Sequence, residues 1–183
     1  MKYEICAGLF WRDEFIFDSI HQKSKVLQAA DSMGRINTPL TLPDGQTKYL
    51  NLGVLGLALQ NLDNQEHLFF GTLAKDLYSI PTSFLDTFTN KSLLDISQIQ
   101  NHGSRLGSCD VLAADDQKNL FMGLVDKQIV VKWNTSKSMT DPDTNVQETV
   151  VRNPILNWIN SLWIRDGYLW LTHNKQVYIF MSL

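Results

Sequence analysis

Four side chains stand out for what they could do to a ligand. Asp110 offers a carboxylate, Asn160 an amide, and Trp158 and Phe121 aromatic faces. A carboxylate or amide oxygen holds an ammonium group, and a ring packs against a flat organic body. Together they suit a small aromatic amine. Asp and Asn also have a plainer reading, as turn residues bonding their own backbone. No catalytic signature competes with these readings, because G-x-S-x-G, P-loop and H-E-x-x-H motifs are all missing from the sequence. His21, His67, His102 and His173 lie far apart without ligand spacing, and each reads as a surface or turn residue. His173 is the one of most interest, since an imidazole is the natural base near neutral pH. No catalytic residue, metal ligand or cofactor is assigned.

Composition narrows the partners. The chain has 183 residues, 44% of them hydrophobic and 19% charged, which is the balance of a globular domain. A net charge of -3 gives no basic field for nucleic acid or anionic lipid. No apolar run is long enough to span a membrane. At the N-terminus, Ile5 to Trp11 stops at Arg12-Asp13-Glu14 and reads as an interior strand, not a signal peptide. Cys6 and Cys109 could pair in an oxidising compartment, but two cysteines make no framework. The sequons at Asn90 and Asn134 are no more than chance would supply.

What must position the four side chains is a repeat. Leu68-Phe69-Phe70-Gly71 returns as Leu120-Phe121-Met122-Gly123 and again as Leu169-Trp170-Leu171-Thr172. Each copy is preceded by an apolar strand and a turn rich in Asp, Asn or Gly (Asp63-Asn64, Asp115-Asp116, Asp166-Gly167) and followed by another apolar strand. Strand-sized runs bounded by such turns are hairpin signals, and a period near 40–50 residues is that of a propeller blade. The expected fold is therefore all-β, a partial β-propeller of about three blades. Residues 1–50 form a lead-in, and 51–106, 107–156 and 157–183 form successive blade units. Three blades do not close a ring, so the missing blades are expected from a longer chain or a partner. Segments 14–30 and 86–101 are the best helix candidates. Residues 86–106 and 134–156 read as polar connections between blades. Residues just before each innermost strand face the channel. In one blade these are Gly107, Ser108 and Asp110, and in the next Asn157, Asn160 and Ser161.

The order of these segments resembles the yellow / major royal jelly family of insect proteins. The likeness is carried by Gly53-Val54-Leu55-Gly56-Leu57-Ala58-Leu59, by Leu68-Phe69-Phe70-Gly71-Thr72-Leu73-Ala74, and by Leu77-Tyr78-Ser79-Ile80-Pro81. Further on it is carried by Gly103-Ser104-Arg105, Asn119 to Val125, Trp133-Asn134, Leu156-Asn157-Trp158 and Asp166 to Trp170. It runs from about Gly45 to Asn174. The resemblance implies a secreted, six-bladed propeller of which this chain holds roughly the second half. It implies a small amine-like ligand in the central channel, with Asn174 where amine-binding members keep an Asn. It also offers a second activity, dopachrome conversion in melanin formation. Lys132 stands where the family often has Cys before the Trp-Asn pair, and Leu106-Gly107-Ser108-Cys109-Asp110 stands where it tends to have Gln and Ser, and these departures tell against the usual disulfide and the usual pocket. Six-bladed propellers suggest a third activity as well, a metal-dependent hydrolase. Asp110 and Asn160 suit its hard oxygen ligands, but no Glu lies in register. A non-functional fragment is the remaining alternative.

Overall fold

A computed structural model of the chain describes residues 3–7, 13–18, 23–28, 36–87, 96–140 and 146–174. Strand β1 (Tyr3–Ala7), β2 (Asp13–Asp18) and β3 (Lys23–Gln28) form an antiparallel meander. A hairpin follows, β4 (Ile36–Thr41) with β5 (Thr47–Leu52). The first four-stranded sheet is β6 (Gly56–Leu62), β7 (Gln65–Gly71), β8 (Asp76–Pro81) and β9 (Gln100–Ser104), with the short helix α1 (Thr82–Thr87) after β8. The second is β10 (Cys109–Ala114), β11 (Asn119–Leu124), β12 (Ile129–Asn134) and β13 (Gln147–Arg152). The last pair is β14 (Trp158–Arg165) with β15 (Tyr168–Asn174).

Local chemistry explains the hairpins. Asp63 and Asn64 have φ of 50° and 65°, and Asp166 and Gly167 have 53° and 76°. Two consecutive left-handed residues make the two-residue turn whose twist matches that of the strands. Asp, Asn and Gly are the types that tolerate it.

The repeat governs packing. β7 and β11 are buried on both faces, the pattern of a sheet covered on each side. Phe69 on β7 sits in a cluster with Leu112, Leu120 and Met122 of the next sheet. Phe121, its counterpart on β11, sits with Ile159 and Leu162 of the sheet after that. The first strands converge, so that β10 packs on both β6 and β14. Sheets stacked face to face with their first strands gathered inward make an arc of a β-propeller. The fold is therefore all-β, a partial propeller. The β4–β5 hairpin covers the end where the first strands begin, and its Leu40, Leu42 and Leu52 cluster with Leu73, Val125 and Trp158.

Three expectations are corrected. Segment 14–30 is not helical, because it contains β2 and β3. Segment 86–101 holds only the end of α1, a single 3-10 turn at Ile96–Gln98 and the start of β9, with 88–95 outside the described residues. The two polar connections each contain a fourth strand, β9 and β13. Their side chains are mostly exposed, so backbone pairing at the sheet's outer edge, and not an apolar stripe, makes them strands.

His67 and His102 are not simple surface residues. His67 is buried, and its Nδ1 lies 3.1 Å from Ser79 Oγ, which in turn lies 2.8 Å from His102 Nε2. His102 stacks on Phe69 at 5.1 Å and leans on Trp133 at 5.4 Å, so the trio joins the first full sheet to the second. Burial pushes the His102 pKa from 6.5 down to about 4, and the neighbouring His67 adds to the shift. A depressed imidazole takes up its proton more readily in the unfolded chain. Its contribution to stability is therefore complete above about pH 6.5 and is lost as pH falls toward 4. His102→Gln is expected to flatten the fall of the melting temperature across that interval, as read by thermal unfolding at a series of pH values.

Candidate functional site

A cavity of about 430 Å³ opens beside the first strands. Val54, Leu55, Gly56 and Leu57 line it from the first full sheet, Asp110, Val111 and Leu112 from the second, and Asn160 and Leu162 from the β14–β15 pair. This volume lies within the range of small-molecule sites, and the wall exposes more polar than apolar surface although most of the lining side chains are aliphatic. Gly56 permits the close approach of β6 to β10, since a Cβ there would sit 2.9 Å from Leu112 Cγ.

Two bulges bring the polar side chains in. On β10 the register passes from Cys109 opposite Leu124 to Val111 opposite Gly123, leaving Asp110 unpaired. On β14 it passes from Ile159 opposite His173 to Ser161 opposite Thr172, leaving Asn160 unpaired. Asp110 and Asn160 are thus the extra residues of two equivalent bulges. A bulge bends its strand and re-aims the side chain it carries.

Asp110 is held by blade-to-blade contacts. The Trp158 indole N–H donates to Asp110 Oδ2, tying β14 to β10. The loop before Asp110 is clamped from three sides. Arg105 donates from Nε to Lys75 O at 2.9 Å and from Nη2 to Thr72 O at 2.6 Å and to Ala74 O. Gln147 accepts from Leu106 N at 3.0 Å and donates to Ser104 O at 3.2 Å. Asp126 accepts from Ser108 N at 2.9 Å, and a Cβ at position 107 would meet Asp126 Oδ1 at 2.3 Å, so a larger residue there must displace that carboxylate. Burial lowers the Arg105 pKa and raises that of Asp126. Arg105 Nη1 is buried without a hydrogen-bond partner. Cys109 is a buried free thiol, and its Sγ lies 3.1 Å from Val111 O.

The sequence candidates therefore take different places. Asp110 and Asn160 line the cavity together. Trp158 touches Asp110 through its N–H while its ring belongs to the cluster under the β4–β5 hairpin. Phe121 points into the core between the second sheet and the β14–β15 pair. Asn174 ends β15 opposite Trp158, and its side chain lies outside the described residues. Asn157 accepts from Gln128 Nε2 at 3.1 Å, on the outer side of the same junction. Among the described residues, no three His, Cys, Asp or Glu side chains converge as metal ligands. Asp126 and Gln147 were not singled out from the sequence, because residues that fasten a loop carry no motif, and Arg105 entered only as part of the Gly103-Ser104-Arg105 likeness.

Burial raises the Asp110 pKa from 3.8 to about 6, and the Trp158 hydrogen bond opposes the shift. No charged side chain offsets the desolvation, and among the described residues no Lys, Arg or His pairs with the carboxylate. The Thr172 hydroxyl donates to Asn160 Oδ1 at 3.2 Å, leaving the amide NH2 as a donor beside the cavity. The cavity thus presents one poorly solvated acid and one amide among aliphatic side chains and exposed polar backbone.

Sheets stacked with their first strands converging, and a cavity beside those strands, are the features of part of a β-propeller. The sequence model of the family described as Major royal jelly protein matches residues 29–182. The chain belongs to that family. The match begins upstream of Gly45 and ends beyond Asn174, so it includes the β4–β5 hairpin and part of the lead-in. Members of the family are typically secreted. No curated protein matches the chain.

The raised Asp110 pKa has a consequence for stability. A carboxyl that keeps its proton in the folded state contributes stability below about pH 3.8, and that contribution is lost as pH rises through 6. Asp110→Asn keeps an acceptor for Trp158 without the charge. It is expected to be more stable than the natural protein above pH 6, by up to about 3 kcal/mol, with the advantage vanishing near pH 4. Chemical denaturation at the two pH extremes measures the difference.

Proposed function

We propose that the chain is part of a secreted propeller that binds a small amine in the cavity at its first strands. The observation that carries this reading is the Asp110 carboxylate, turned by a bulge toward a cavity of mixed polar and aliphatic lining with no cation beside it among the described residues. A desolvated carboxylate gains most from a ligand that brings its own positive charge. The aliphatic side chains take the ligand's apolar body, and Asn160 offers a donor for a hydroxyl or carbonyl. Localisation outside the cell follows from the family's habit. No helix among the described residues is long and apolar enough to cross a membrane.

Dopachrome conversion is a second reading, and one feature favours it. A proton shift needs a group that exchanges protons near neutral pH, and a carboxyl at about 6 meets that need better than an ordinary aspartate. It would take a proton from the substrate as carboxylate and return it as acid.

Isothermal titration of serotonin and dopamine into the protein at neutral pH tests the first reading. Saturable one-to-one heat is expected, and Asp110→Asn should weaken binding by about tenfold or more, as loss of a buried charge partner does. A complete lack of heat with both amines overturns it. For the second reading, dopachrome decay should exceed the spontaneous rate and rise with pH through about 6.

A further inference from the structure

The number of sequons gives no reason to prefer either of the two in this chain. Asn90 lies outside the described residues, so only Asn134-Thr135-Ser136 has a described geometry. This triplet stands where β12 ends. Trp133 and Thr135 are buried, Asn134 is half-buried, and Ser136, Lys137 and Ser138 are exposed. The inward side chains fasten the turn. The Trp133 indole N–H donates to Lys137 O at 3.0 Å. Thr135 donates to Lys118 O from its backbone N at 2.8 Å and from its hydroxyl at 3.2 Å. Met139 joins the core cluster that holds Trp133.

The Asn134 amide is left at the rim. Alternation along β12 puts it on the face of Val130 and Lys132. That face is buried at Val130 and half-buried at Lys132, whose ammonium reaches Glu148 at 3.0 Å. The ladder from β12 to β13 stops one residue before Asn134, at Trp133 opposite Gln147. The two ends of the amide play different parts. Its Oδ1 accepts from Ser136 N at 3.0 Å, which makes an Asx turn and orients the side chain. Its Nδ2 carries two protons and donates to Asn119 Oδ1 at 3.4 Å. The turn therefore uses the oxygen and one N–H.

We propose that Asn134 is an N-glycosylation site, a reading that rests on the protein being secreted. The donor is an oligosaccharide carried on a lipid diphosphate. A bond forms from Nδ2 to the sugar's anomeric carbon, the bond from that carbon to a diphosphate oxygen breaks, and Nδ2 gives up one proton. The substituted amide keeps one N–H for Asn119 and its Oδ1 for Ser136, so the turn survives the modification. The glycan stands away from the cavity. β10 and β12 both run antiparallel to β11, so Asp110 near the start of β10 and Asn134 at the end of β12 mark opposite ends of the sheet. A bulky hydrophilic group there solubilises the rim without closing the cavity.

Expression of the full chain behind a cleavable export signal in a eukaryotic host supplies the compartment and tests the acceptor. Folded, exported protein should lose mass on treatment with a peptide-N-glycosidase in heavy-oxygen water, and the peptide holding residue 134 should then carry a labelled aspartate. Ser136→Ala keeps the backbone N–H that donates to Oδ1, and it should lose the glycan. Ser136→Thr should keep it at equal or higher occupancy, and Asn90→Gln should leave the label at 134 unchanged. Folded, exported chain with a bare Asn134 overturns the proposal. So does a glycan at 134 that is confined to aggregated chain, or one that survives Ser136→Ala. The secretion reading fails differently, by the natural full-length protein staying inside its own cells whatever the state of Asn134 in the exported chain.

Discussion

The central strands of the two four-stranded sheets are apolar on both faces, so neither sheet is stable until a neighbour covers each side. That constraint explains more of the molecule than any single contact. It requires the sheets to stack, and twisted sheets stacked in chain order turn about an axis. Their first strands then gather at that axis. The positions of Val54, Asp110 and Asn160 around one cavity follow from this convergence, although they lie roughly fifty residues apart, about one repeat period.

Convergence alone would give a channel without these two polar side chains. The two bulges give it chemistry. A regular β10 would leave the position of Asp110 committed to the ladder, and a regular β14 would do the same for Asn160. The extra residue releases each of them. The arrangement works against stability, since it encloses a carboxylate that, among the described side chains, only an indole N–H supports. The surroundings hold it in place nonetheless. Arg105, Gln147 and Asp126 fasten residues 104–108 to three different turns or strands, and Trp158 fastens the bulge to the next sheet. A strained or desolvated group kept by such a framework is the usual mark of a functional position.

How much of this was legible in the sequence depends on the scale of the signal. The repeat was legible because strand, turn and strand are encoded locally, by apolar runs and by Asp-Asn or Asp-Gly pairs that accept positive φ. The fourth strands were not, because β9 and β13 face solvent and take their structure from backbone pairing with β8 and β12. Asp110 and Asn160 could be found by counting back from the repeat. Their bulges could not, since a register shift depends on the partner strand. Phe121 and Trp158 were chosen for their rings, but the ring of each is occupied by packing between sheets. His67 and His102 lie 35 positions apart in sequence, and only the pairing of β7, β8 and β9 brings both to Ser79.

Those two kinds of buried titratable group act in opposite directions. His102 makes the fold less stable as pH falls from about 6.5 to 4, whereas Asp110 makes it more stable over the overlapping interval from 6 to 3.8. The two effects oppose each other across nearly the same window, so the acid destabilisation that His102 brings is offset in part by Asp110. The histidine lies at the junction between sheets, and the aspartate at the axis. The tolerance of the framework to acid therefore arises in part from the carboxyl that the cavity keeps protonated. A cationic ligand that ionised Asp110 would remove that compensation, leaving the junction at His102 exposed to acid while the ligand's own binding energy holds the axis together.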